Sequence, residues 1–494
     1  MQYYIGADLG TSSLKLLLCD REGNAVASCT EEYPVSYPQP SWSEQDPDDW
    51  WNAFVKGIKS LLKSVSPGDI AGIAVAGQMH GLVILDRENR VIRPAILWND
   101  GRTDRETEYL NGIIGEDRLA ELTANIAFAG FTAPKLLWIR NHEKENFDRI
   151  AKIMLPKDYI NYRLTGVHAC DYSDASGMLL LDVKNKRWSH EMLDICGICE
   201  EQMPRLFESY EKIGTLLPEV ALELGLPDCI GVAAGAGDNA GAAIGTGTVG
   251  DGRCNISLGT SGTIFVSTQS FVEPENHALH AFCHADGGYH LMACILSAAS
   301  CNKWFCDEIL GTVDYEALQC RITEEMLGNN TVYFLPYLMG ERSPLNDTDA
   351  SGTFIGLRPG TTKEQMVQAV LEGVSFAIRD NLEIIQRAGI NLQESTVCGG
   401  GAKSGLWLKI LANVLNITLC VPVAEEGPAL GAALLASVAA GEYPSVGACV
   451  RQTVKARIIP EPTLVSRYEA QYQRFKKIYP SLKSLFKEFK GEEK

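Results

Sequence analysis

The chain has 494 residues, too many for one hydrophobic core, so we expect two large domains. Its 62 acidic residues outnumber its 44 basic residues and give a net charge of −18, which disfavours binding to the phosphates of nucleic acids. An uninterrupted run of about 18 apolar residues does not occur, so the sequence predicts no membrane span. Irregularly spaced cysteines and the lack of a basic segment before an apolar run at the N-terminus predict a cytoplasmic protein.

A tight glycine turn occurs twice in the chain. Residues 9–12 and residues 258–261 both read Leu-Gly-Thr-Ser. Each copy lies between segments of β-type residues, which predicts a strand, a turn and a second strand at both places. Because the two copies lie about half a chain length apart, the sequence predicts two halves of similar architecture.

Strands and helices alternate after the first turn. Asp46 and Pro47 mark the start of a helix, and an apolar stripe with helical spacing begins at Trp50. Buried strands are expected at 70–75 and 82–85. This alternation predicts an α/β fold.

The second half continues in the same way. Residues 361–365 offer a capping box for a long helix that should end near Gly389. A short strand at 396–398 runs into three consecutive glycines, and Pro428 should start a helix of small residues that ends at Gly441. The second half is therefore also predicted to be α/β.

A cluster of glycines at 245–252 marks the boundary between the halves and is a candidate hinge. We assign residues 1–247 to an N-terminal domain and residues 253–440 to a C-terminal domain. The remaining segment, 441–494, should add strands, helices and a tail.

Asp8 comes directly before the first turn. A carboxylate beside exposed backbone N–H groups and hydroxyls can hold Mg²⁺, usually through water, while the turn cradles a phosphate group. Gly10, Thr11 and Ser12 are therefore predicted to bind phosphate, with Asp8 on the metal side. The alternative is an ordinary hairpin that happens to begin with an acidic residue.

The second turn lacks this acid, because Ser257 stands where Asp8 would be. Gly259, Thr260 and Ser261 are therefore predicted to bind phosphate without a metal ligand beside them.

A glycine-rich loop at 235–241 carries Asp238 and Asn239. It resembles a dinucleotide-binding loop, but its third glycine is one position late and the carboxylate would repel a pyrophosphate, so we reject that interpretation. An aspartate on such a loop, before a helix of small residues, suits a general base for a substrate hydroxyl. The alternative is an aspartate that only caps the helix.

The glycines at 399–401 lack the Gly-Lys-Ser/Thr ending of a Walker A motif. A strand that runs into Gly400, Gly401 and Ala402 still allows a flat ligand such as adenosine to approach the backbone closely. The alternative is a tight turn between a strand and a helix.

Met79 and His80 lie between two glycines after a predicted strand. They suit a small pocket with one apolar and one hydrogen-bonding wall. A single histidine can instead serve only to satisfy a buried polar partner.

Taken together, these motifs resemble those of the FGGY carbohydrate kinases over nearly the whole chain. The motifs are DLGTS at 8–12, WSEQDP at 42–47, GQMHG at 77–81, LWNDGRT at 97–103, FTAPKLLW at 131–138, LPKDY at 155–159, GAGDNAG at 235–241, SLGTSG at 257–262, LPYLMGERSP at 335–344, GTFIGL at 352–357 and GGGAKS at 399–404.

The resemblance implies an actin-like fold, in which two ribonuclease-H-like α/β domains face each other across a cleft. It implies a sugar bound mainly on the first domain and the nucleotide, ATP, mainly on the second, with Mg²⁺ as a further cofactor. The site residues that it implies are Asp238 as catalytic base, Met79, His80 and Asn239 as sugar contacts, Asp8 on the magnesium side, and Gly400, Gly401 and Ala402 at the adenosine.

Glycerol kinases of this family carry an Arg-Glu pair where this chain has Met79 and His80. The resemblance therefore implies a ketose as the acceptor, and D-xylulose, phosphorylated on its C5 hydroxyl, is the expected substrate. Ribulose, a hexulose or glycerol remain alternatives, and a chaperone-type ATPase without a sugar substrate is an alternative of another class. A homodimer is expected from the family alone.

Overall fold

The computed structural model describes residues 2–423, 427–451 and 454–492, with side chains as far as residue 489. It contains two seven-stranded mixed sheets, one in each half of the chain. The N-terminal sheet has the strand order Lys212–Thr215, Gly231–Ala233, Ile70–Gly77, Tyr3–Leu9, Ser13–Asp20 and Ala25–Glu32, and Ala236–Gly237 also pairs with Ile70–Gly77. The C-terminal sheet has the order His280–Cys283, Tyr289–Ile295, Gly262–Thr268, Arg253–Leu258, Glu394–Cys398, Thr418–Pro422 and Val454–Ile458.

The two sheets share one topology around their first strands, Tyr3–Leu9 and Arg253–Leu258. On one side of each first strand lie two successive antiparallel strands, the nearer of which follows the Gly-Thr-Ser turn, and the C-terminal sheet adds a third, His280–Cys283, at its edge. On the other side lie two parallel strands and then an antiparallel one. This order is that of a ribonuclease-H-like domain, so the predicted pair of such domains is confirmed.

The helices connect the strands in both halves. In the N-terminal half they are Pro47–Leu61, Asp104–Glu108, Glu116–Thr123, Thr132–His142, Lys144–Phe147, Pro156–Thr165, Tyr172–Ala175, His190–Cys196, Pro218–Leu224 and Asp238–Gly245. In the C-terminal half they are Ala299–Trp304, Tyr315–Gln319, Lys363–Arg387, Gly405–Leu415, Gly427–Ala439, Val446–Cys449, Pro462–Phe475 and Ile478–Glu492. Each described helix is too short or too polar to cross a lipid bilayer.

Five small sheets of two strands lie outside the two main sheets. They pair Glu44–Gln45 with Ala95–Ile96, Val83–Leu85 with Lys152–Met154, Arg205–Phe207 with Ala169–Asp171, Leu181–Asp182 with Arg187–Trp188, and Tyr333–Leu335 with Thr353–Ile355.

The predicted helix starts are confirmed. The Asp46 carboxylate accepts a hydrogen bond from the Asp48 N–H and caps the helix that begins at Pro47. Thr362 and Gln365 form the expected capping box at the start of the long helix of the C-terminal half. These helices therefore begin where local side-chain chemistry predicts.

The helix Gly427–Ala439 packs against the N-terminal sheet. In sequence it lies between two strands of the C-terminal sheet, Thr418–Pro422 and Val454–Ile458, yet its alanines share a buried cluster with Tyr4 and Leu17 of the N-terminal sheet. The contact is close because a Cβ atom at Gly431 would lie 1.9 Å from the carbonyl oxygen of Gly241, in the helix Asp238–Gly245. Glycines thus allow the two helices to pack backbone against backbone.

The connection between the halves is anchored to the C-terminal half. The Gly250 N–H donates to the Asp286 carboxylate at 2.9 Å, and a ring nitrogen of His284 lies 2.9 Å from the Thr248 carbonyl oxygen. Gly247, Gly250 and Gly252 adopt positive φ angles, which favours glycine there. A hinge role for this connection stays a prediction.

We expect Gly431→Ala to destabilise the protein, because the added methyl group must push two helix backbones apart. Overpacking of this kind costs about 1–3 kcal/mol. Denaturant unfolding measures the loss, and Gly112→Ala is the control, since a Cβ atom at Gly112 meets nothing within 4 Å. Equal stability of the two variants would contradict the close crossing.

Candidate active site

Three adjacent parallel strands position the acidic residues of the site. Tyr3–Leu9 and Ala236–Gly237 both pair in parallel with Ile70–Gly77. Asp8 lies next to the last residue of the first strand, and Asp238 directly follows the third. Because the carboxyl ends of parallel strands meet at one edge of a sheet, the two carboxylates lie at the same edge.

The four residues predicted to contact the sugar lie together at this edge. The Asn239 amide nitrogen donates to the Asp238 carboxylate at 3.1 Å and lies 3.9 Å from the Met79 sulfur. A Cβ atom at Gly237 would be only 3.0 Å from Met79, so glycine allows the two segments to approach. His80 follows Met79 directly, and its role and those of its neighbours stay predictions.

His80 is held in one orientation and one protonation state. Its ring stacks on Phe131 with centroids 4.5 Å apart, and its Nδ1 atom lies 2.7 Å from the Gly177 carbonyl oxygen. A carbonyl oxygen only accepts, so Nδ1 carries the proton and Nε2 is left as an acceptor. Burial lowers the pKa of His80 to about 3, so the ring is neutral near pH 7 and suits a sugar hydroxyl.

The two carboxylates hold protons more tightly than ordinary aspartates. Burial, with a further contribution from the charge of Asp8, raises the pKa of Asp238 to about 7. Burial raises the pKa of Asp8 itself to about 6, against a smaller opposing effect of Lys15. Asp238 is surrounded by protein but remains partly exposed, so a ligand can reach it. A carboxylate with a pKa near neutrality is well suited to accept a proton from a hydroxyl group.

The first Gly-Thr-Ser turn is braced by neighbouring side chains. The Tyr33 hydroxyl donates to the Gly10 carbonyl oxygen at 2.5 Å, and the Trp98 indole N–H donates to the Thr11 hydroxyl at 3.0 Å. Ser12, at the tip of the turn, is exposed. The turn therefore has a fixed shape and an accessible tip.

The second turn and the triple glycine meet at a large cavity in the C-terminal half. Gly259, Thr260, Gly400 and Gly401 line this cavity of about 1150 Å³. A Cβ atom at Gly399 would lie 2.6 Å from the Leu258 carbonyl group, so the two segments touch through their backbones. The volume suits a nucleotide-sized ligand.

Two predicted residues lie beside this cavity without lining it. Ser261 follows Thr260 in the turn, and Ala402 follows Gly401 in the short helical turn Gly400–Lys403. In each half, the structure thus brings together one of the two turns predicted to bind phosphate and one glycine-rich loop.

Profiles of a known enzyme family match both halves of the chain. The N-terminal domain of the FGGY family of carbohydrate kinases matches residues 3–245, and its C-terminal domain matches residues 254–440. The chain belongs to the FGGY family of carbohydrate kinases. Enzymes of this kind transfer a phosphoryl group from ATP to a sugar hydroxyl.

Individual relatives of this FGGY kinase cover it almost completely. Xylulose kinase from Escherichia coli (strain K12) is 42% identical over 97% of this chain and 99% of its own length. A crystal structure from Brucella ovis named as a xyloylose kinase has a TM-score of 0.94 and 43% identity, and covers 98% of this chain and 100% of its own. A gluconate kinase from Lactobacillus acidophilus has a TM-score of 0.93 and 26% identity over 99% of both chains.

Some polar residues near the site of this FGGY kinase could not be assigned from the sequence. Lys135 is fully buried, and its ammonium group donates to the carbonyl oxygens of His80, at 2.8 Å, and Gly130, at 2.7 Å. It thereby braces His80, whose φ angle is +69°. Its one sequence signal was a lysine within an otherwise apolar helical stretch. Arg102, by contrast, lies 2.7 Å from the Glu44 carboxylate and stacks on Trp42.

Asp238→Asn is expected to stabilise the protein without ligands at pH 8. The pKa of Asp238 rises from 3.8 to about 7 on folding, so its contribution to stability is lost as the pH rises through that interval. Asparagine has no proton to lose. The melting temperature of the variant should therefore exceed that of the original protein above pH 7, and the difference should vanish towards pH 4. A pH-independent difference would contradict the raised pKa.

Gly400→Leu is expected to raise the KM for ATP by about tenfold or more, equivalent to about 1.4 kcal/mol of binding. A Cβ atom at Gly400 meets nothing within 4 Å, so the side chain would enter the cavity without a backbone clash. Initial rates at varied ATP test this, and the KM for sugar should not change. Gly360→Leu, at an equally open but distant position, is the control.

Proposed function

We propose that this kinase transfers the γ-phosphoryl group of ATP to the C5 hydroxyl of D-xylulose and forms D-xylulose 5-phosphate. The observation that carries the proposal is the grouping of Asp238, its pKa near neutrality, with Met79, His80 and Asn239. Relatives named for xylulose phosphorylation, which match almost the whole chain, support the choice of sugar.

Each residue of this group has a distinct chemical role in the proposal. Asp238 accepts the proton of the attacking hydroxyl, as a general base with a pKa near the working pH must. His80, neutral and with Nε2 as an acceptor, binds a second hydroxyl of the ketose. Asn239 binds the sugar through its amide, and Met79 packs against the carbon chain.

Asp8 and the two Gly-Thr-Ser turns would act on the phosphates. Oxygen ligands suit Mg²⁺, and the raised pKa of Asp8 indicates a carboxylate in a setting that a divalent cation would stabilise. Asp8 would hold the cation through water, and the cation would offset the charge of the transferring phosphoryl group. The Gly10 N–H closes the first turn on the Ser13 carbonyl oxygen, and the N–H groups of Thr11, Ser12 and Gly259–Ser261 would orient the phosphates, with adenosine at Gly400–Ala402.

The same proposal extends to organisation. The N-terminal domain, 1–247, binds mainly the sugar, and the C-terminal domain, 253–440, binds mainly the nucleotide, because the two sets of predicted residues lie in different halves. Within the segment 441–494, residues 452–453 and 493–494 lie outside the described part of the chain. We further propose a cytoplasmic homodimer as the working form.

A sugar acid is the alternative acceptor that a specific observation favours. The gluconate kinase from Lactobacillus acidophilus shares this fold with a TM-score of 0.93. A chaperone-type ATPase is disfavoured, because carbohydrate kinase domains match both halves.

ADP release, measured with D-xylulose, D-ribulose, L-ribulose, glycerol and D-gluconate, tests the function. We expect the highest kcat/KM with D-xylulose and little ADP release without sugar. Asp238→Asn should lower kcat by about 10²-fold or more. Sugar-independent hydrolysis of ATP, or a preference for another acceptor, would overturn the choice of substrate.

A further inference from the structure

A buried network of hydrogen-bonded polar side chains lies behind the glycine-rich loop 235–241, which carries Asp238. The Asp171 carboxylate is at its centre, with one oxygen 2.8 Å from the Lys157 ammonium group. The other oxygen accepts hydrogen bonds from the Ser173 hydroxyl at 2.5 Å, the Ser173 N–H at 2.9 Å and the Ser209 hydroxyl at 2.7 Å. All four side chains are buried, so water cannot readily replace these bonds.

At one end, this network contacts the backbone of Gly237, next to the proposed base Asp238. The Gly237 N–H donates to the Ser173 hydroxyl oxygen at 3.1 Å, and Gly237 directly precedes Asp238. The direction of the bonds is fixed, because the carboxylate of Asp171 can only accept. Ser173 therefore donates to Asp171 and accepts from Gly237, and it transmits the position of one to the other.

At the other end of the network, the buried charge of Lys157 carries a desolvation cost. Lys157 is fully buried, with its ammonium group 2.6 Å from Asp158, 2.8 Å from Asp171 and 3.6 Å from Asp174. Burial lowers the pKa of Lys157, but these carboxylates outweigh that effect and keep it above its usual value. Buried ion clusters contribute little net stability, so a positional role accounts better for this one.

Other hydrogen bonds hold the beginning of the glycine-rich loop 235–241. The Asn161 amide donates to the Ala234 carbonyl oxygen at 2.8 Å, and the Gly235 N–H donates to the Ser209 carbonyl oxygen at 3.0 Å. Ser173 thus accepts the hydrogen bond from the backbone N–H of Gly237, the residue directly before Asp238. Its loss should disturb the end of the loop and leave its beginning in place.

We propose that Ser173, held by Asp171 and Lys157, is a positioning residue that fixes the direction in which Asp238 faces the acceptor hydroxyl. The inference rests on the proposed function, because it assumes that Asp238 is the base. Displacement of a catalytic group by about 1 Å can cost about 10²-fold in rate. Removal of the Ser173 hydroxyl should therefore lower kcat much more than it changes either KM.

The test compares Ser173→Ala with Ser209→Ala. Both variants lose a buried hydroxyl that donates to the same oxygen of Asp171, but only Ser173 contacts Gly237. We expect similar losses in melting temperature, a fall in kcat of about tenfold or more for Ser173→Ala alone, and recovery in Ser173→Thr, which keeps a hydroxyl. Equal kcat values for the two alanine variants would overturn the inference.

The double variant Asp238→Asn/Ser173→Ala separates this inference from the proposed function. If Ser173 acts through Asp238, the double variant should be no slower than Asp238→Asn alone. A further loss in the double variant would overturn the positioning role while Asp238 remained the base. Near-normal turnover of Asp238→Asn alone would instead contradict the proposed function.

Discussion

The site depends on one constraint, the placement of two carboxylates at the same edge of a parallel sheet. Tyr3–Leu9 and Ala236–Gly237 flank the strand Ile70–Gly77, so two strand spacings of about 4.8 Å each separate them, and strand register places Asp8 and Asp238 at one edge. Desolvation then raises the pKa of both carboxylates, and the charge of Asp8 raises that of Asp238 further. Folding therefore maintains a local electrostatic cost that a cation and a substrate proton would relieve.

This electrostatic cost accounts for the many contacts that hold the backbone around Asp238 in place. Behind the loop, Lys157 and Asp171 hold Ser173 and through it Gly237. On the other side, the helix that begins at Asp238 crosses the helix Gly427–Ala439 at backbone distance. A base on a mobile loop could relax into solvent and regain an ordinary pKa, so rigidity here serves catalysis more than stability.

The sequence predicted those features that local chemistry determines. The repeated Leu-Gly-Thr-Ser turns predicted two similar sheets, and Asp46 and Thr362 predicted helix starts, because caps and turns depend on neighbouring residues only. The role of Lys157 could not be predicted, because the sequence gives no sign that three carboxylates, one adjacent and two more distant, will surround this lysine. The same holds for the helix Gly427–Ala439, whose partner sheet lies some 400 residues earlier in the chain. The sequence predicted a helix of small residues there but not the surface against which it packs.

Substrate choice within this fold is a matter of single side chains. A structure named as a xyloylose kinase and one named as a gluconate kinase match the backbone of this chain with TM-scores of 0.94 and 0.93, so the fold cannot distinguish the two acceptors. In the proposed site His80 would distinguish them, because its Nδ1 proton is committed to the Gly177 carbonyl oxygen and its pKa is about 3. The remaining Nε2 lone pair attracts a hydroxyl proton but repels a carboxylate, which has no proton to donate. In the proposed site a ketose hydroxyl therefore suits this histidine as it stands, whereas a carboxylate placed against Nε2 would be repelled.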